Sequence, residues 1–245
     1  MTPSGPPGSP PGLSIIPVAG IGEIRPGDEI AESVTDAARA QGTPLADGDC
    51  LVVTQKIVSK AEGRLVELDP NDRDARRRLV ESESVRVVRV RGDLVISETP
   101  HGFICANAGV DLSNVDAGQA ALLPVDADRS AKHVRDALRA RAGVDVAVIV
   151  SDTFGRPWRQ GLTDVAIGVS GITALVDLRG ATDALGRELM VTEVAIADEI
   201  ASAAELVMGK AAGIPVAIVR GLDVSWFGAG SVRQLIRPHE DDLFR

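Results

Sequence analysis

Short blocks of consecutive apolar residues punctuate this chain, and each breaks off into polar, glycine-bearing sequence. Leu13–Val18, Cys50–Thr54, Leu122–Val125, Val146–Val150 and Pro215–Val219 are too short for helices and are bounded by turn residues, the pattern of buried strands. Between them, apolar residues recur at helical spacing. Ile30, Val34, Ala37 and Ala38 share a face over Glu29–Ala40, with Asp28 placed to cap it. Val134, Ala137, Leu138 and Arg141 mark a helix over Ser130–Ala142. Thr192–Met208 is a strong helix, with a broad apolar surface from Val194, Ile196, Ile200, Ala204, Val207 and Met208. Val85–Val90 and Asp93–Ser97 alternate as the arms of a hairpin around Arg91-Gly92-Asp93. Asn71–Glu83 reads as a charged surface helix whose Arg76-Arg77-Arg78 run is a solvated face. Val165–Leu178 is apolar and interrupted by glycine, as buried backbone is, and Arg179–Glu188 is turn-rich. Short strands alternating with helices give a mixed α and β class, α+β.

The sharpest break is Val146–Gly161, VAVIVSDTFGRPWRQG. A strand is expected to end at Ser151-Asp152-Thr153 and a basic loop to follow. In open α/β sheets ligands gather beyond the carboxyl ends of strands, where the core fixes the strand and the loop carries chemistry. Asp152 and Thr153 at such a tip suit a hard divalent cation, and Arg156 and Arg159 suit phosphate or carboxylate oxygens. The alternative is an Asp that merely caps the next turn, with solvated arginines beyond it.

Composition narrows the class. The net charge is −9 over 245 residues, which argues against general nucleic-acid binding. Aromatic residues are 2% of the chain and Tyr is absent, so base-stacking platforms are lacking. No apolar run approaches the ~18 residues that span a bilayer. MTPSGPPGSPPG is neither basic nor apolar enough for a secretory signal, and residues 1–12 are expected to form a disordered or extended tail. Cys50 and Cys105 have no metal or disulfide-framework spacing, which fits a reducing cytoplasm.

Several chemistries are absent from the sequence: a GxxxxGK[ST] phosphate loop, HExxH and GxSxG. His101, His133 and His239 have no zinc spacing. Gly20-x-Gly22 lacks the third glycine of a dinucleotide fingerprint, although Gly20–Asp28 still lets backbone N–H groups approach an anion. Lys56 and Lys60, four apart, meet one polyphosphate if helical, or are simply solvated beside Glu62. In the irregular stretch His101–Asp116, Asp111 and Asn114 are oxygen donors for Mg²⁺ or Mn²⁺ with phosphate, or an Asx-turn pair serving local backbone. Oxygen-only ligands with scattered basic groups suit metal-assisted phosphoryl transfer, and carboxylate activation by a nucleotide followed by amine attack lies within that class.

The same loops carry a family resemblance. PVAGIGEIRPGD, TQKIVSKAEGR, ANAGVDLSN, VIVSDTFGRPWRQG, VTEVAIADEIASAAELVMGK and PVAIVRG resemble the coenzyme F420-0:L-glutamate ligases (CofE), and the amino-terminal domain of the mycobacterial FbiB type. The similarity runs in order from about Leu13 to Phe244. It implies one ligase domain over residues 13–245, in a family-specific α+β fold with interwoven lobes, and a homodimer. It implies a GTP-dependent amide ligase that joins L-glutamate to F420-0, with a further glutamate in γ-linkage, through an acyl phosphate, giving GDP and phosphate. Mn²⁺ or Mg²⁺ and K⁺ are the implied ions; the partners are small molecules, with neither nucleic acid nor membrane. By motif, nucleotide contacts fall on Ile21, Gly22, Glu23, Ile24, Gln55, Lys60 and Asn114, and metal contacts on Asp111, Asp152 and Thr153. Gln55 stands where the FbiB type has Ser. Lys60, Arg156 and Arg159 are the expected catalytic cations; for the two arginines this rests on charge and position. The FbiB type continues into a nitroreductase-like domain, whereas this chain ends at Arg245, as a stand-alone ligase or a piece of a longer protein. Without that domain, dehydro-F420 reduction and long polyglutamate tails are not expected of it. The competing readings are a ligase for another carboxylate and a GTP-binding regulator without turnover.

Overall fold

The structure, a computed structural model, describes residues 12–69, 71–72 and 74–243. The expected tail falls on residues 1–12, and 1–11 of these lie outside the described residues. In chain order the first half runs β1 (Ser14–Pro17), α1 (Ile30–Ala40), β2 (Cys50–Thr54), α2 (Gln55–Ala61), β3 (Leu65–Glu67), α3 (Ala75–Ser82), β4 (Arg86–Arg91), β5 (Leu94–Glu98), β6 (Ile104–Ala106) and β7 (Gln119–Ala121). It continues with α4 (Ala127–Ala142), β8 (Ala147–Arg156), β9 (Arg159–Ser170), β10 (Val176–Asp177), β11 (Glu193–Val194), α5 (Ile196–Met208) and β12 (Val216–Arg220). The class is mixed α and β, as the hydrophobic pattern implied.

A five-stranded sheet in the order β1-β12-β2-β8-β9 forms the centre; only β2 and β8 are parallel. Because side chains alternate along a strand, its apolar blocks feed both faces. Leu51, Val53, Val148, Val150 and Ile218 join Val34 of α1 and Leu138 of α4 in one core. Cys50, Val52, Ile149 and Val219 join Ile200, Ala204 and Met208 of α5 in the other. A second lobe is inserted between α2 and α4: the pair β3-β7 and the sheet β4-β5-β6, over a small core of Val80, Val95, Val110 and Leu122.

Four local expectations are corrected. Asp28 does not cap α1: its carboxylate accepts from Arg25 N at 2.8 Å, and Glu29 occupies the cap position. The strand expected at Leu122–Val125 lies earlier, at β7, and Leu122 N instead donates to Arg64 O at 2.9 Å. The Thr192–Met208 helix starts later, because Glu193–Val194 is spent on β11 pairing with β10. Most consequential, the basic loop after Thr153 is not a loop. Strand β8 continues to Arg156 and turns at Pro157-Trp158 into β9, making a long antiparallel hairpin. Trp158 sits at φ 63°, a left-handed conformation unusual for a bulky residue.

Candidate active site

Strands β2 and β8 run parallel with Thr54 opposite Ser151, so their carboxyl ends open at one level. From β2 the chain passes directly into α2; from β8 it continues into Asp152 and Thr153. A register shift between Val150 and Ser151 places a bulge at this point, a device that re-aims side chains. The second lobe contributes Asp111, whose backbone pairs in both directions with Ala121 (2.9 and 2.8 Å).

Helical spacing does put Lys56 and Lys60 on one short helix, but their partners differ. The Lys56 ammonium donates to the Asp111 carboxylate and to Ser113 O and Oγ, the last at 2.7 Å, while Ser113 N donates to Asp111 Oδ1 at 2.7 Å. The Lys60 ammonium, largely buried, pairs with Glu23 in the Gly20–Ile24 loop. Ile24 anchors that loop in the core, and Gly22 and Glu23 are exposed. Gln55 is turned inward: its Nε2 donates to Ser59 Oγ (2.7 Å) and Leu122 O (2.9 Å), fastening α2 to the chain after β7. Asn114 is exposed at φ 51° in the turn following Asp111.

Two carboxylates here behave oppositely. Burial works upward on Asp111, but the Lys56 ammonium and the Ser113 N–H and hydroxyl overcome it and hold the acid below the usual carboxylate range. Asp152 is pushed up to about 7, chiefly by burial and further by the charges of Asp111 and Asp164, against the Thr153 N–H and Lys210. A half-buried carboxylate whose neighbouring charges are mostly negative takes up either a proton or a cation. Among the described residues no three His, Cys, Asp or Glu side chains form a complete metal cage. Asp111 and Asp152 nevertheless fit the way Mg²⁺ or Mn²⁺ is held with phosphates, through one or two carboxylates plus substrate and water oxygens. Thr153 is less available. Its Oγ1 donates to Asp164 Oδ1 at 2.6 Å and accepts from Lys210, which also reaches Asp164 (2.8 Å) and Glu205 (3.1 Å).

The structure thus brings Lys56, Asp111, Asp152 and Thr153 together, with the Lys60–Glu23 pair on the same helix. It does not bring Arg156 and Arg159 to them. These two face each other at the exposed tip of the β8–β9 hairpin, where Arg156 Nη2 donates to Gln160 O at 2.9 Å. Sequence reasoning missed Asp164, buried opposite Thr153, and Lys210 at the end of α5. The only signal for Asp164 was an acid at the start of an apolar run. For Lys210 there was none, since its role depends on α5 ending beside β8.

Two cavities lie apart from this junction. One, of about 180 Å³, sits between α1, α2 and α4 beside Glu62 and His133. The other, of about 650 Å³, opens between the β5–β6 connection, the start of α4 and the C-terminal segment. No described helix is long and apolar enough to cross a membrane.

A family model described as F420-0:Gamma-glutamyl ligase matches residues 20–221. The coenzyme F420:L-glutamate ligase of Methanothermobacter thermautotrophicus is 44% identical over 250 residues, covering 96% of this chain and 99% of that protein. The protein of the same name from Methanopyrus kandleri is 45% identical, covering 96% of this chain and 98% of its own. That from Methanocaldococcus jannaschii is 45% identical over 82% of this chain and 86% of its own. With these relatives, the chain is an enzyme of the class that forms carbon–nitrogen bonds. Within that class it belongs to the F420-0:gamma-glutamyl ligase family.

Proposed function

We propose that this chain joins the amine of L-glutamate to the terminal carboxylate of coenzyme F420-0 at the expense of GTP, and adds a second glutamate through a γ-linkage. The carboxylate oxygen attacks the γ-phosphorus of GTP, GDP leaves, and an acyl phosphate results. The glutamate amine then attacks the carbonyl carbon, phosphate departs with the oxygen that bridged it, and the amide is formed. What carries this proposal, in a chain of this family, is the meeting of Asp111 and Asp152 with Lys56 at the ends of the parallel strands β2 and β8.

The roles follow from position. The Gly20–Ile24 loop offers exposed backbone at Gly22, and Lys60 beside it offers positive charge to the nucleotide phosphates. Asn114, in the turn after Asp111, faces solvent where a nucleotide would be contacted. Gln55 holds α2 in place rather than offering its amide N–H to ligand. Asp111 and Asp152 would hold Mn²⁺ or Mg²⁺, which neutralises charge on the transferring phosphoryl group. Ser113 and Lys56 hold the Asp111 carboxylate in the charged, receptive state. Arg156 and Arg159 are assigned to anionic substrate groups that reach the hairpin tip. K⁺, a homodimer and a cytoplasmic location belong to the same proposal.

The test is incubation with F420-0, L-glutamate, GTP, Mn²⁺ and K⁺, followed by mass spectrometry and GDP detection. A product one glutamyl residue heavier, formed only with GTP, is expected. GDP without that product would turn the assignment toward another carboxylate acceptor. Metal-dependent GTP binding with neither product would favour a regulator.

A further inference from the structure

The 650 Å³ cavity has the size of a small-molecule site and lies outside the junction of charged groups. Its walls come from three distant parts of the chain: His101 and Phe103, Ile167 of β9, and Ile236 with Arg233 and Arg237. In a chain with only four Phe, aromatic rings concentrate here. His101 stacks on Phe103 with centroids 5.8 Å apart, and Phe103 meets Phe154 edge-on at 6.0 Å. Phe154 stands two residues beyond Asp152 on β8, on the same side of the strand. A row of rings therefore leads from the cavity wall to the acidic junction.

His101 adds a polar observation. Its Nε2 lies 2.9 Å from Pro124 O, a pure acceptor, so this nitrogen donates and, in the neutral ring, Nδ1 is the acceptor. Nδ1 is buried and has no hydrogen-bond partner among the described residues. Such atoms are rare because losing water without replacement is costly, and a small rotation of the ring into the cavity would let a ligand N–H or O–H satisfy this one. The acids on the wall are already engaged. Asp128 accepts from Val169 N (2.8 Å), Val232 N (3.1 Å) and Ser231 Oγ (2.7 Å), Asp126 accepts from Arg129 N (3.0 Å), and Glu98 pairs with Arg86 (3.0 Å). Arg233 and Arg237 line the cavity beside these acids.

We propose that this cavity is the subsite for the ring system of the deazaflavin substrate, an inference that rests on the function proposed above. The flat heterocycle lies against the His101–Phe103 stack, and a ring N–H or ribityl hydroxyl donates to His101 Nδ1. The substrate's acidic tail extends past Phe103 and Phe154 to bring its carboxylate to Asp152.

The test is binding of F420-0 alone, followed through the polarisation of its own fluorescence, with a fluorescent GTP analogue titrated in parallel with Mn²⁺. Ile236→Trp fills the cavity and is expected to weaken F420-0 binding tenfold or more, leaving the GTP analogue's affinity unchanged. His101→Leu removes this acceptor together with the Nε2–H bond to Pro124 O and opens no hole; a thermal melt checks that the fold persists, and F420-0 is expected to bind roughly tenfold more weakly. F420-0 binding unchanged in both variants would overturn the subsite while leaving the ligase assignment standing. Loss of GTP-analogue binding in Ile236→Trp would overturn it in favour of a nucleotide site. Failure of the wild type to bind F420-0 at all would sink the proposed function, and the subsite with it.

Discussion

Asp152 is the residue whose environment most departs from that of an ordinary carboxylate. Burial and the neighbouring charges of Asp111 and Asp164 raise its pKa to about 7, so the folded chain holds a proton that the unfolded chain has already released. Stability conferred by that proton is complete below the ordinary aspartate range and is lost as pH rises through about 7. Without divalent ions, Asp152→Asn should therefore be more stable than wild type at pH 8, by roughly 1–2 kcal/mol given the residue's partial exposure, and equal to it near pH 4. Urea unfolding midpoints at the two pH values check this, and a less stable variant at pH 8 would refute it. The same variant should have lost amide formation. Asp111 and Asp152 were legible because each interrupts apolar or featureless sequence with a carboxylate. Asp164 and Lys210 were not, because their roles depend on a strand register and a helix end that local pattern does not encode.

The β8–β9 hairpin carries the candidate acidic junction at one end and the two arginines at the other. Arg156 lies four steps along the strand from Asp152, about 13 Å, so under the proposed function the arginines meet a different part of the bound substrates. Replacing either by Ala should raise the KM for GTP or glutamate with little change in kcat; steady-state constants unchanged in both variants would remove them from the site. The hairpin's base is held equally closely. A Cβ on Gly168 would lie 2.3 Å from the carbonyl of Ala127, so Gly168→Ala should push β9 off the start of α4. A destabilisation of about 2–3 kcal/mol is expected in chemical denaturation, and a variant as stable as wild type would contradict the packing. The core strands were legible from their Val and Ile runs. The hairpin was not: its turn uses Trp158 in a left-handed conformation that no turn preference selects, and the polar, basic sequence after Thr153 resembles a loop.

Across the whole molecule, the central sheet supplies the parallel strand ends and the inserted lobe supplies Asp111. Neither alone makes the site. The mixed α and β class could be read from the alternation of blocks. The insertion could not, since the pairing of β3 with β7 spans the whole lobe between them and leaves no local trace. Bringing a nucleotide phosphate, a carboxylate and an amine to one junction is what amide ligation by carboxylate activation requires. The most direct measurement of that claim follows an oxygen atom. F420-0 labelled with ¹⁸O in its terminal carboxylate is incubated with L-glutamate, GTP and Mn²⁺, and the released phosphate is weighed by mass spectrometry. One ¹⁸O in the phosphate for each amide formed is the expected result, because the oxygen that attacked phosphorus leaves with it. Amide formed with unlabelled phosphate would contradict an acyl-phosphate route at this site.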